Sequence, residues 1–203
     1  KKVLNLKNIQ KIKKFLKNNK VTHIVNCAGK VGGIQDNLLN QIDYFRDNYE
    51  INYNLISASL DQGIKNFLNL GSSCMYPKNF DIKMSEKKLM SGELEPTNFG
   101  YAMAKLTAAS YIKIIKEKYK SNYCTIIPCN LYGPNDNFSK STSHLVASII
   151  RKVSEAKKIK KKTIDVWGDG SPKREFLYVD DLANFIYSVI QNNYILPAYL
   201  NIG

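Results

Sequence analysis

No stretch of the 203-residue sequence approaches the roughly 20 consecutive apolar residues that a membrane-spanning helix needs. Its opening, Lys1-Lys2-Val3-Leu4-Asn5, has no apolar core of signal-peptide length. Both absences lead to the expectation of a cytoplasmic protein. Metal-binding residues are sparse. The chain has two histidines and four cysteines (Cys27, Cys74, Cys124 and Cys129), with no Cys-x-x-Cys pair, and a zinc site is not expected. Cys27, Cys124 and Cys129 fall in apolar, strand-like runs where a small buried hydrophobe is the natural role. Acidic residues are scarce too, 17 against 30 basic ones, for a net charge of +13. Lysine is dispersed throughout, and its densest run, Lys157 to Lys162, reads as a solvated helix end favoured by the helix dipole. Nucleic acid is therefore not the expected partner, although a positive surface helps draw in an anionic ligand. Internal repeats, low-complexity tracts and a convincing linker are missing as well.

What is present is an alternation of helix and strand periods. Ile9, Ile12, Phe15 and Leu16 have helical spacing. A strand over 22–28 runs into the glycine-rich loop Gly29 to Gly33. A long helix is predicted from about Asn37 to Asp61, with Leu38, Ile42, Phe45, Tyr49, Leu55 and Ile56 as its apolar face and Gly63 as its stop. Strands follow at Asn66 to Leu70, Tyr123 to Pro128, Ile164 to Trp167 and Glu175 to Val179, and the chain ends in a strand-like Tyr199-Leu200-Asn201-Ile202-Gly203. Further helices are predicted from Tyr101 to Tyr119, from His144 to Lys158, and from Asp180, as N-cap, to about Gln191. This pattern predicts an α/β fold, a doubly wound, Rossmann-like parallel sheet. The glycine-rich turn that opens a dinucleotide-binding domain is not found, and Gly29 to Gly33 does not match it. The expectation is a Rossmann-like domain over 1–135 without its first βαβ unit, and a partial substrate lobe over 136–203 interleaved with the last sheet elements.

The chemistry concentrates in Gly71-Ser72-Ser73-Cys74-Met75-Tyr76-Pro77 and Tyr101-Ala102-Met103-Ala104-Lys105. A tyrosine and a lysine four apart share one helix face. A serine at the end of a parallel strand can meet them there. The ammonium is expected to lower the phenol pKa and so make Tyr101 a usable acid or base near neutrality.

These stretches, with Lys30-Val31-Gly32-Gly33-Ile34, Gly92 to Asn98, Asn130 to Phe138, Ser143-His144 and Trp167 to Leu177, resemble the GDP-L-fucose synthases of the extended short-chain dehydrogenase/reductase superfamily over nearly the whole chain. The resemblance implies an NADPH-dependent, homodimeric enzyme that epimerises a GDP-linked 4-keto-6-deoxy sugar at C3 and C5 and reduces it at C4. It implies Ser72, Tyr101 and Lys105 as the reductase triad and Cys74 and His144 as the epimerisation acid/base pair, with Cys74 accepting the proton and His144 supplying one. Leu70, Gly71, Ser72, Ser73, Lys105, Pro128, Cys129, Asn130, Leu131 and His144 would line NADP(H), and Lys152, Trp167 and Arg174 would meet the substrate. Two positions depart from the pattern: Lys152 stands where arginine is frequent, and Cys129 where threonine is common. Two other readings stay open: a 4-reductase of a related GDP-6-deoxy-hexose or heptose, which would not need both Cys74 and His144, and a non-catalytic nucleotide-binding fragment.

Overall fold

Strands β1 (His23–Asn26), β2 (Asn66–Leu70), β3 (Asn122–Pro128) and β6 (Tyr199–Ile202) form one parallel sheet in the order β1-β2-β3-β6. A second, two-stranded parallel sheet pairs β4 (Asn130–Tyr132) with β5 (Phe176–Tyr178). The computed structural model describes residues 4–79, 84–140, 142–166, 168–171 and 173–203. Its helices are α1 (Ile9–Asn18), α2 (Ile34–Leu39), α3 (Gln41–Asp61), α4 (Phe99–Tyr119), α5 (Leu145–Lys158) and α6 (Val179–Gln191). None is long and apolar enough to cross a membrane.

Period-2 alternation of the strands produces the double winding. Phe67 and Tyr123 point to one face, where they meet Ile12 and Leu16 of α1, Ile56 of α3 and Ile112 of α4. Their neighbours Leu68, Cys124 and Ile126 point to the other face, against Leu182 and Val189 of α6. Local signals set the element ends. The Asn8 side chain accepts the Lys11 N–H and caps α1, and Gly63, at φ +69°, follows the last turn of α3. Because all four strands of the larger sheet run the same way, the residues after β1, β2, β3 and β6 collect at its carboxyl edge.

Several expectations are corrected. The helix predicted over 37–61 is two helices, broken at Asn40, whose φ of −125° and ψ of 33° leave the helical region. Its expected apolar face is largely outside: Leu38, Ile42, Phe45 and Tyr49 are exposed, and of the six only Leu55 and Ile56 are buried. The buried side of α3 carries Tyr44, Asn48 and Asn52, because their partners are the polar groups of Asp36 in α2, Lys30 in the loop after β1 and Asn26 at the end of β1 rather than an apolar layer. Asn26, in β1, donates to both Asn52 at 2.7 Å and Asn69 at 2.8 Å. Residues 164–166 form no strand and Val166 is exposed, while Trp167 lies outside the described residues. Tyr178, not Asp180, is the N-cap of α6; Asp180 and Asp181 sit in the first turn, where they complement the dipole. Cys124 is buried as expected. Cys27 is exposed, because β1 ends at Asn26 and releases it at the carboxyl edge.

Candidate active site

The buried run of β2 delivers the chain to the carboxyl edge, and Gly71 turns it there. Gly71 N–H donates to the Ile126 carbonyl at 2.7 Å, and a Cβ at this position would lie 2.9 Å from Thr125 Cγ2. Only glycine lets β2 and β3 approach this closely before the chain leaves the sheet. Ser72 then caps a 3₁₀ turn over Ser73–Met75, its Oγ accepting the Cys74 N–H. Met75 and Tyr76 anchor the turn in a small core with Ala102, Leu106 and Ile127. Tyr76 also donates to Asn201 Oδ1 of β6 at 2.7 Å.

Helix α4 brings the second half of the site. Gly100 packs directly on the Gln41 backbone at the start of α3, where a side chain would overlap it, and its N–H donates to Gln41 Oε1 at 2.9 Å. That close crossing aims Tyr101 and Lys105 at the Ser72 turn. The Cys74 N–H donates to the Ser72 hydroxyl at 3.4 Å, and that hydroxyl sits beside both the Tyr101 phenol and the Cys74 thiol, pulling the pKa of each down. Lys105, 4% exposed, donates to the Leu70 carbonyl at 2.7 Å, and its Nζ lies 5.8 Å from the Tyr101 ring centroid. Ser72 and Cys74 of the turn after β2 and Tyr101 and Lys105 of α4 are thus drawn from two parts of the chain into one cluster.

The family relation follows on this geometry. The model of the NAD dependent epimerase/dehydratase family matches residues 2–203. The chain belongs to that family. It is similar to a GDP-L-colitose synthase of Yersinia pseudotuberculosis, with 42% identity over all of this chain and 66% of that protein. It is also similar to a GDP-L-fucose synthase of Escherichia coli (strain K12), with 35% identity over 98% of this chain and 65% of that protein. The chain therefore spans just under two thirds of the length of these relatives. Among solved structures, a GDP-mannoheptose C4 reductase from Campylobacter jejuni with NADP bound superposes with a TM-score of 0.84, at 26% identity, over 98% of this chain and 69% of that one.

In this epimerase/dehydratase family member the electrostatics depart from the sequence-based expectation. Tyr101 is not lowered. Burial pushes its phenol above the usual range, the nearby Cys74 and Tyr44 add to that, and only the Ser72 hydrogen bond pulls it down. Lys105 does not offset this, because its ammonium is drawn to the Leu70 carbonyl; burial in turn lowers Lys105, against the opposing pull of Cys74 and Cys27. Burial raises the Cys74 thiol to about 11, despite its Ser72 hydrogen bond and the Lys105 charge. At neutral pH both Tyr101 and Cys74 hold their protons.

The other candidates lie on later parts of the chain. Pro128 ends β3 buried, and Cys129 gives its N–H to the Ile202 carbonyl at 3.0 Å. Asn130 bonds the Glu175 carbonyl through both its N–H and its side chain. His144 is exposed as the N-cap of α5, its carbonyl accepting the Ser148 N–H. Lys152 donates to the Asp165 carbonyl at 2.7 Å, and Arg174, exposed, donates to the Lys173 carbonyl at 2.7 Å. Neither His144 nor Arg174 is built into the hydrogen bonds of the Ser72 cluster among the described residues. Sequence reasoning passed over Tyr44, which packs edge-on against Tyr101 with ring centroids 6.4 Å apart. The available signal was its spacing: Tyr44 and Asn48 are four apart on the helix that follows a Gly-Gly loop.

Proposed function

We propose that this protein binds NADPH and converts a GDP-linked 4-keto-6-deoxy sugar by 3,5-epimerisation and 4-keto reduction, the GDP-L-fucose synthase type of reaction. The observation that carries the reading is the placement of the single Ser72 hydroxyl beside both the Tyr101 phenol and the Cys74 thiol, with Lys105 held at the same strand end. One hydroxyl serving a reductase phenol and a thiol joins reduction and proton shuffling in one place. The relatives named for GDP-L-colitose, GDP-L-fucose and GDP-mannoheptose support a GDP-sugar substrate.

The residues fit a nicotinamide cofactor. Lys105 has three N–H donors and one described hydrogen bond, to Leu70, which leaves donors for a ribose hydroxyl. Leu70 to Ser73 and Pro128 to Leu131 form the strand-end rim on which it would lie, with His144 expected to close over it. When bound, the nicotinamide supplies hydride to the sugar C4. The chain's own groups do the rest. Ser72 and Tyr101 donate hydrogen bonds to the C4 oxygen, which stabilises the enolate formed when the C3 or C5 proton leaves. Tyr101, held protonated by burial, gives its proton to the C4 alkoxide. Cys74 and His144 form the acid/base pair. Within that pair Cys74 serves one face of the sugar ring and His144 the other. Lys152, Trp167 and Arg174 of the 136–203 portion meet the GDP-sugar, Arg174 through a bidentate guanidinium–diphosphate contact.

A homodimer belongs to the same reading. Phe45, Tyr49 and Tyr53 of α3 and Tyr111 of α4 form a stacked ladder with centroid spacings of 5.7, 5.7 and 6.0 Å, flanked by exposed Ile42 and Ile114. A continuous outward apolar stripe of this kind suits a second copy of the same two helices. The four free thiols fit a reducing cytoplasm.

The deciding experiment supplies GDP-4-keto-6-deoxymannose and NADPH in heavy water. The expected result is NADPH consumption with deuterium at C3 and C5 of the product. Reduction without deuterium would establish the 4-reductase alternative, and neither event would overturn the enzymatic reading.

A further inference from the structure

The loop Lys30 to Gly33 lies between the two parts of the proposed machinery. At one end, a Cβ on Gly29 would sit 3.8 Å from Lys105 Nζ; at the other, a Cβ on Gly33 would sit 3.9 Å from the carbonyl oxygens of Thr142 and Ser143, next to His144. Two buried side chains one turn apart on α3 hold this loop. Asn48, fully buried, accepts the Lys30 N–H at 2.9 Å and donates to the Lys30 carbonyl at 3.0 Å and to the Tyr44 carbonyl at 2.7 Å. Tyr44, 1% exposed, donates its hydroxyl to Asp36 Oδ2 at 2.5 Å. The Gly32 backbone lies over that bond: a Cβ there would overlap the Tyr44 hydroxyl and come within 2.8 Å of Asp36 Oδ2. The other face of the Tyr44 ring environment is Tyr101, met edge-on at 84°.

We propose that Tyr44 and Asn48 are positioning residues that fix the Lys30–Gly33 loop as a wall of the site, and through it set the His144 segment against Tyr101. Neither touches the reacting atoms. Asn48 grips both backbone polar groups of Lys30, and Tyr44 gives Gly32 a surface to rest on while its ring steadies Tyr101. Gly32 is then required by contact, because nothing larger fits between the loop backbone and the Tyr44 hydroxyl. The inference rests on the proposed epimerase-reductase reading.

The test compares wild type, Gly32→Ala, Tyr44→Phe, the Gly32→Ala/Tyr44→Phe double variant and Asn48→Asp. Each is assayed for deuterium exchange into GDP-4-keto-6-deoxymannose, with thermal melting and an NADPH fluorescence titration alongside. Gly32→Ala should slow exchange about tenfold or more, since a displaced loop misaligns the groups it carries. Tyr44→Phe alone should cost about threefold, the loss of one hydrogen bond. The double variant should regain most of what Gly32→Ala loses, because the colliding oxygen is gone. Asn48→Asp keeps the acceptor for Lys30 N–H but loses the donor to both carbonyls, and should slow exchange about fivefold or more while NADPH binding changes less than about twofold. Wild-type exchange in Gly32→Ala or Asn48→Asp, or a double variant no better than Gly32→Ala, overturns the inference. No exchange in the wild type instead overturns the functional reading on which it rests.

Discussion

The Lys105 ammonium donates to the Leu70 carbonyl at 2.7 Å and leaves the Tyr101 phenol to Ser72. The lysine therefore secures the end of β2 and holds its remaining N–H groups ready, rather than making Tyr101 acidic. Replacing Lys105 with Met keeps the stem and removes the donors. NADPH affinity in a fluorescence titration should fall about tenfold, the size of a lost charge-assisted hydrogen bond. Unchanged affinity would place the cofactor away from Lys105.

Tyr101→Phe removes the proton that the C4 alkoxide needs and leaves the ring in its edge-on contact with Tyr44. Reduction, followed as NADPH absorbance, should drop about 10²-fold or more. Deuterium exchange at C3 should remain measurable, because Ser72 still faces the C4 oxygen. A variant that reduces at the wild-type rate would remove Tyr101 from its role.

Cys74→Ser separates the two chemistries. A serine keeps the backbone bond to the Ser72 hydroxyl but is a far weaker acid than a thiol. C4 reduction should persist, while exchange at the epimerised carbons falls by about 10²-fold. Native exchange in this variant would show that the thiol only packs.

Tyr49 stands in the middle of the outward ladder, 5.7 Å from both Phe45 and Tyr53. Tyr49→Glu places a charge in that stripe without touching the buried side of α3. Analytical ultracentrifugation should show the wild type as a dimer and the variant as a monomer with an unchanged helical spectrum. A wild type that sediments as a monomer would end the dimer proposal.

The sheet was legible because its signals are local. The Asn66–Leu70 run is apolar, ends in Gly71 and matches β2 end to end; the Tyr101–Lys105 face needs only helix periodicity. The phase of α3 was not legible. Ile42, Phe45 and Tyr49 read as core by composition, yet they face outward. Asn48 and Asn52 lie off the predicted apolar face, yet they are buried, because their partners Lys30 and Asn26 are far away in sequence. The phenol pKa was misread for a related reason. A lysine four residues away is visible in the sequence, but the burial that dominates Tyr101 and the Leu70 carbonyl that captures Lys105 are products of the folded sheet end.

Buried thiols also set how the fold responds to base. Cys124 lies wholly inside β3, and burial raises it from 9.0 to about 12, with Lys116 only partly opposing. A group whose folded pKa lies above its unfolded value holds its proton more tightly in the native state. Its contribution to stability is full below pH 9 and is lost as pH rises from there towards 12. Cys74, raised from 9.0 to about 11, acts in the same direction over a narrower window. The melting temperature should therefore be flat from pH 7 to 8.5 and decline steadily above about pH 9. Cys124→Ala removes the larger of these two thiol contributions, so its melting temperature should start lower, from the lost packing against Leu68 and Ile126, but fall less steeply with pH. Parallel curves for wild type and variant would show that Cys124 is not what couples this fold to alkaline pH.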